Sequence, residues 1–301
     1  MSDHGQEQVT DPDDPLVAEL AERQYVWRLR HRYADARSGR EAARTLVLEL
    51  LPASRLLRTP VGFVWLGPDG EHTPVYDVRA LDPGDPVAIA GLRDVASRVA
   101  GSRLGTSVWP GEPSREAFVA DGTFRLTAAT MRLDVTGPVP GEELAAGAKL
   151  VPMTDAEVTT YRDGAVATYA RSRVEAGESA ELAMKTSVAS FDEMLPEGRP
   201  GTGHHLFHLS HEGEVAGIVW VCLRWPAQAW VYDVEVDPDR RGRGLGAAAM
   251  VHAARWTRSR GVAWLGLNVF GPNAHARSLY ERLGYVLEEE HLDRPPSTDA
   301  P

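Results

Sequence analysis

The sequence predicts an α/β (α+β) protein built from two related domains, each a mixed, mostly antiparallel sheet flanked by helices. Three observations carry this expectation. Runs with strand-like alternation are interleaved with helical periodicities along the whole chain. The word VYDV occurs twice, at 75–78 and 231–234, each time ahead of Asp-Pro, an amphipathic helix and another strand. The second copy also runs on into DPDRRGRGLG, a glycine and arginine loop at a strand-to-helix junction.

Residues 1–14 are polar and acidic and are expected to form a disordered tail. The spacing of Leu16, Leu20, Tyr25 and Leu29 predicts a helix, and REAARTLVLELL a second. VGFVWLGPDGEHTPVYDVRAL reads as strand, turn, strand; PVAIAGLRDVASRVAG as an amphipathic helix; GTSVWPG as a short strand. A short helix at SREAFVADG and a strand at RLTAATMRLDV complete a first domain, 15–140. The Gly/Pro-rich stretch TGPVPGEELAAGA is the linker. The second domain, 141–291, opens with a strand at AKLVPM and a capping box at Thr154 and Glu157, which starts a helix reaching about Ala176. A helix ending near MLPEG precedes the strands HHLFHLSH, VAGIVWVCLRW and AWVYDVEVD. Then come a helix over 244–260, a strand AWLGLNVF, a helix NAHARSLYERLG and a strand YVLEEEHL, with 292–301 as a second tail. Corresponding features of the two halves stay 156 to 162 residues apart, as a divergent tandem duplication would leave them.

The 301 residues carry 43 Asp and Glu against 32 Lys and Arg, a formal charge of -11. That balance argues against nucleic acid or an anionic membrane as partner and suits a cationic small molecule. The single cysteine, Cys222, allows no intramolecular disulfide or cysteine metal cluster and reads as a small buried hydrophobe. The acidic N-terminus lacks the features of a signal peptide and no apolar run reaches membrane-spanning length, so a cytoplasmic monomer or homodimer is expected. His204, His205, His208 and His211 do not make a metal site, because on a strand positions 204 and 208 lie about 13 Å apart and 205 points the other way.

The loop holds the chemistry. Gly242, Gly244 and Gly246 remove Cβ atoms so that backbone N–H groups can converge on an anion, and Arg240, Arg241 and Arg243 add charge beside the helix N-terminus. No Lys-Ser/Thr follows, which excludes a Walker A loop. GRGLGA does fit G-x-G-x-x-A, but DPDRR intervenes after the strand, and the next strand ends in LNVFGPN without the acidic ribose ligand of a dinucleotide site.

From Val231 to Tyr285 the sequence resembles the GNAT superfamily of acyl-CoA N-acyltransferases. The coenzyme signature of that family, Gln/Arg-x-x-Gly-x-Gly/Ala, matches Arg241, Gly244 and Gly246; its second signature matches Asn273 and SLYERLGY. The resemblance implies acetyl-CoA as co-substrate, in the opening between the VYDVEVD and LGLNVF strands. Its pyrophosphate would sit on Arg241, Gly242, Arg243, Gly244, Leu245 and Gly246, with its pantetheine arm along Val234 and Val236. Tyr280 would be the general acid, two helical turns after Asn273, and Arg277 could touch a coenzyme phosphate. Strand alternation puts Asp233 and Glu235 on one face and Tyr232, Val234 and Val236 on the other, so either carboxylate is open as general base. Some relatives carry a glutamate base where this chain has Asn268. Trp225 and Trp230 could line the acceptor site. The implied reaction is direct attack by a primary amine of a small molecule, with no metal; peptide N-acetylation and non-catalytic acyl-CoA binding are the alternatives. In the first copy Asp82 and Asp85 replace the arginines, Pro113 aligns near Asn273, and Phe118 and Val119 fall where the tyrosine is expected. That copy is expected to bind no coenzyme.

Overall fold

The computed structural model describes residues 6–295 except 71, 101, 102, 142, 144–146, 176–178 and 272. The elements in chain order are β1 (Glu7–Val9), α1 (Pro15–Gln24), α2 (Ala36–Leu50), β2 (Arg55–Thr59), β3 (Gly62–Leu66), β4 (His72–Ala80), α3 (Pro86–Ala100), β5 (Arg103–Val108), α4 (Pro113–Val119) and β6 (Arg125–Asp134). They continue with β7 (Ala148–Pro152), α5 (Asp155–Glu175), α6 (Ala180–Met194), β8 (His204–His211), β9 (Glu214–Cys222), β10 (Gln228–Val236), α7 (Leu245–Ser259), β11 (Trp264–Phe270), α8 (Ala274–Arg282) and β12 (Val286–Arg294).

Two compact units form, and they do not follow chain order. One contains Met1–Arg132, Asn268–Glu281 and Tyr285–Pro301; the other contains Leu133–Leu267 and Arg282–Gly284. In the first, the strands run β1-β2-β3-β4-β5-β12-β6, with only β4 and β5 parallel, so the last strand of the chain lies between β5 and β6. Leu20, Val47, Leu56, Phe63 and Trp65 pack beneath α1 and α2, and Val78, Ile89, Leu92, Leu104 and Phe118 beneath α3 and α4. In the second unit the order is β7-β8-β9-β10-β11, with only β10 and β11 parallel, and Val158, Val166, Phe191, Leu195, Leu206 and Trp220 form the core under α5 and α6. The capping box holds: Thr154 N–H donates to Glu157 Oε2 at 2.7 Å and Glu157 N–H to Thr154 Oγ1 at 3.4 Å.

Both expected tails need correction. Residues 7–9 form β1 by pairing with Arg58–Leu56, and Asp14 caps α1 while binding Arg58, so only 1–5 lie outside the described residues at that end. β12 runs to Arg294 because it has two partner strands, and 296–301 lie outside the described residues.

The duplication is visible in the registers. In β10 the antiparallel pairs with β9 are Val231 with Val221 and then Asp233 with Trp220, so Tyr232 is an extra, bulged residue. In β4 the pairs with β3 are Val75 with Leu66 and then Asp77 with Trp65, which makes Tyr76 the bulge. Parallel pairing stops at the first valine of each VYDV: Val231 with Leu267, and Val75 with Thr106. Three residues before each tryptophan stands a glycine, Gly62 with φ +150° and Gly217 with φ +158°, whose Cβ would come within about 2 Å of the carbonyl oxygen of Arg79 or Glu235.

The aspartate of the first VYDV is locked. Asp77 is fully buried; Arg23 Nε donates to Oδ2 and Nη2 to Oδ1, both at 2.8 Å, and Arg115 Nε donates to Oδ1 at 3.2 Å. Burial alone would raise its pKa, but Arg115 and Arg23 outweigh it and hold the carboxyl below the usual range. Its stabilising contribution is therefore complete above the unfolded pKa, about 4, and is lost as pH falls through the folded value. Asp77→Asn is expected to cost about 3–5 kcal/mol at pH 7. Denaturant unfolding of both proteins at pH 7 and pH 3 checks this, the difference shrinking at the lower pH.

Candidate active site

The bulge sets the geometry around Asp233. It overrides the simple alternation expected for the strand: Tyr232 turns to the same side as Asp233, stacking on Trp220 at 5.1 Å and meeting His204 at 5.2 Å. On that side Tyr161 of α5 donates its hydroxyl to Asp233 Oδ2 at 2.7 Å. Burial pushes the Asp233 carboxyl above the usual range, while the Tyr161 hydroxyl and the Val234 amide pull the other way. Burial and the same carboxylate push the Tyr161 hydroxyl well up, so it remains a donor. Glu235, two residues on, is exposed, with Arg241 at 3.5 Å. The two carboxylates thus differ: one is desolvated and hydrogen-bonded, the other solvated. Val234 and Val236 continue the strand, paired to Val219 and Gly217 on β9.

The loop after β10 forms a short 3₁₀ turn, Pro238–Arg240, and then the predicted junction. Gly242 and Gly244 have φ +77° and +79°, conformations other residues rarely adopt, and a Cβ on either would enter open space. Gly244 is the N-cap of α7 and no side chain caps it, so the first N–H groups of the helix, at Leu245 and Gly246, face outward. Arg241 Nε donates to the Val236 carbonyl at 2.9 Å, anchoring the guanidinium beside the turn, and Arg243 reaches the Asp239 carbonyl at 3.5 Å. This cradle fits a diphosphate: outward amides, room at the glycines and two arginines.

Asn273, Arg277 and Tyr280 lie in the other unit. Asn273 caps α8, its Oδ1 accepting from Ala276 N–H at 3.0 Å. Tyr280 is 7% exposed and its ring lies 5.6 Å from that of Tyr285. Arg277 is held in ion pairs with Glu281 at 3.2 Å and Glu290 at 3.1 Å, the arrangement of a structural helix charge.

The first copy fills each corresponding position from the protein itself. Where α7 starts with uncapped amides, α3 starts with Asp85, whose Oδ1 accepts from Val87 N–H at 2.8 Å. Where β4 and β5 part, Arg115 reaches across, donating to the carbonyls of Tyr76 and Ser107 as well as to Asp77, with its guanidinium 3.6 Å from the Trp109 ring centroid. The residue matching Asn273 is Glu112, which caps α4 through Arg115 N–H at 2.7 Å; Pro113, aligned there from sequence, is the first helical residue instead. Arg115, Arg23 and Tyr161 were not foreseen as functional or locking residues, since each acts on an aspartate far away in sequence.

His204 accepts from Trp220 Nε1 at 3.0 Å, His208 lies 3.1 Å from Glu157, and His205 faces Trp256 on the opposite side. Among the described residues no group of three His, Cys, Asp or Glu is arranged to hold a metal, and no helix is long and apolar enough to cross a membrane. Cys222 is buried, which pushes its thiol up to about 11. Trp225 and Trp230 pack edge to face at 5.8 Å.

Comparison with known proteins identifies the family. The acetyltransferase (GNAT) family model matches residues 174–285. The chain is 34% identical over 217 residues to a streptothricin acetyltransferase of Streptomyces lavendulae, covering 72% of this chain and 84% of that protein. It is 30% identical over 250 residues to a mycothiol acetyltransferase of Rhodococcus opacus, covering 77% of each. A GCN5-related N-acetyltransferase from Sphaerobacter thermophilus shares the fold over 98% of this chain and 96% of its own, with a TM-score of 0.55 and 15% identity. The chain belongs to the GNAT acetyltransferase family and is an N-acetyltransferase.

Proposed function

We propose that the protein is a cytoplasmic enzyme that transfers an acetyl group from acetyl-CoA to a primary amine of a small, cationic molecule, using one coenzyme site, in the second copy. The observation that carries this reading is the contrast between the two VYDV aspartates. Asp77 is bound by two guanidinium groups, whereas Asp233 keeps one oxygen bonded to a hydroxyl and sits in a desolvated setting that raises its basicity.

When bound, acetyl-CoA supplies the thioester whose acyl carbon the amine attacks. Gly242, Gly244, Leu245 and Gly246 offer outward backbone and Arg241 and Arg243 offer charge to its diphosphate, with Asn273 fixing the start of α8. Asp233 Oδ1 accepts the proton that the amine must shed. Burial raises the pKa of this carboxyl and so its basicity, whereas Glu235 is exposed to solvent with Arg241 3.5 Å away. Tyr280 Oη supplies the proton for the departing sulfur. The likeness to an acetyltransferase of streptothricin and the charge of -11 support a cationic small-molecule acceptor.

Thiol release from acetyl-CoA with a panel of amines tests the reading. Asp233→Asn is expected to lower kcat by about 10²–10⁴-fold with little change in coenzyme affinity, and Tyr280→Phe to do the same. Because Asp233 must be ionised to accept a proton and its pKa is raised, the acidic limb of kcat/KM is expected above the usual carboxylate range. Equal turnover in either variant removes that residue from its role. Gly244→Trp is expected to abolish the rise in Tm given by CoA, since φ +79° and the filled cradle both oppose the new side chain. An unchanged rise would move the site elsewhere.

A further inference from the structure

The second copy leaves two hydrogen-bond donors unused beside Tyr232, the neighbour of Asp233, and both belong to the unit that holds Asp233. Trp220, on which Tyr232 stacks, donates Nε1 to His204 Nδ1 at 3.0 Å. A ring nitrogen that accepts carries no hydrogen, so the neutral imidazole holds its proton on Nε2, which has no hydrogen-bond partner among the described residues. Burial lowers the pKa of His204, and the charges of His205 and Arg224 lower it further, in keeping with the neutral ring. The second donor is Arg224, in the loop between β9 and β10. It is exposed, its Cζ lies 4.5 Å from the Trp225 ring centroid and 6.0 Å from that of Tyr232, and it makes no hydrogen bond or ion pair among the described residues.

Both donors meet at one ring. The His204 and Tyr232 centroids are 5.2 Å apart. Burial raises the pKa of the Tyr232 hydroxyl; Arg224 lowers it, by more than Glu193 of α6 raises it. Of the two charged side chains that act there, the cation prevails, which favours an anion at this spot.

The first copy engages the corresponding groups. Trp65, the counterpart of Trp220, donates Nε1 to Ser54 Oγ at 2.7 Å, and Ser54 gives its one hydrogen to the Leu51 carbonyl at 3.0 Å. Four residues after Trp65 stands Asp69, as Arg224 stands four after Trp220, and Asp69 is held in an ion pair by Arg55. The contrast repeats the one between Asp77 and Asp233: the position is closed in one copy and open in the other.

The strand sets where these donors act. β10 runs from Gln228 to Val236; the glycine loop follows its C-terminal end, Arg224 precedes its N-terminal end, and Asp233 lies between them. An acceptor whose amine meets Asp233 while the coenzyme occupies the loop therefore extends toward Arg224.

We propose that Arg224 and the His204 Nε2–H bind a carboxylate of the acyl acceptor beside the Tyr232 ring. The acceptor class is then an amine that also bears a carboxylate, and a molecule with two amines and one carboxylate keeps the net positive charge of the functional reading above. This proposal rests on that reading.

The test uses the full chain, acetyl-CoA and three amines of related skeleton: L-lysine, L-lysinamide and 1,5-diaminopentane. Wild type is expected to use L-lysine with a kcat/KM about tenfold or more above either of the others, the scale of a charge-assisted hydrogen bond. The amide keeps the carbonyl and loses the charge, so it separates a carboxylate site from a general oxygen site. Arg224→Gln should raise KM for L-lysine by about tenfold or more, leave KM for acetyl-CoA unchanged and bring the three amines to similar kcat/KM. Arg224→Lys, which keeps the charge, should retain part of the preference, and His204→Phe should raise KM for L-lysine. Should His204→Phe fail to fold, the exposed Arg224→Gln carries the test. Use of the diamine or the amide by wild type as well as L-lysine, turnover of other amines but none of these, or a preference that survives Arg224→Gln overturns the proposal and leaves the acetyltransferase reading standing. Absence of thiol release with every amine in a broad panel overturns both.

Discussion

One extra residue in a strand governs the arrangement of both repeats. At Tyr232 the bulge ends the parallel pairing of β10 with β11 one residue earlier and shifts the register against β9, so that Asp233 stands opposite Trp220. The same event at Tyr76 brings Asp77 opposite Trp65. Glycine at 62 and 217 is part of the device, because the bulged strand brings its carbonyl within about 2 Å of where a Cβ would be. In the second copy the strands part after the kink, Asp233 bonds to Tyr161 of α5, and the loop beyond enters α7 without a side-chain cap.

The two copies differ in what occupies the resulting space. In the first, Asp85 accepts from the Val87 amide at the helix start, Arg115 spans the parted strands, and Arg23 and Arg115 neutralise the aspartate. A buried carboxylate is costly unless paired, and here both oxygens of Asp77 accept from guanidinium groups. In the second, glycines replace the capping aspartate and a tyrosine hydroxyl replaces the guanidinium groups. A neutral donor satisfies Asp233 without neutralising it, which leaves the carboxylate basic.

The loop, both VYDV words and the Asn273 to Tyr280 spacing were legible in the sequence because they depend on local pattern. Glycine at positive φ, an N-cap and helical periodicity are each encoded within a few residues. The bulge was not legible: period-2 alternation put Tyr232 opposite Asp233, and only the partner strand reveals the extra residue. The partners of the aspartates were hidden for a similar reason, since Tyr161 lies 72 residues from Asp233 and Arg23 lies 54 from Asp77. β1 and the placing of β12 between β5 and β6 also depend on distant pairing. A tail rich in Asp and Gln reads as disordered until a strand is found to receive it.

The central claim is that the repeats share a fold but that only one retains a coenzyme site, the other being filled from within. Isothermal titration of acetyl-CoA into the full chain tests it most directly. One equivalent bound per chain is the predicted result; two equivalents would contradict the account.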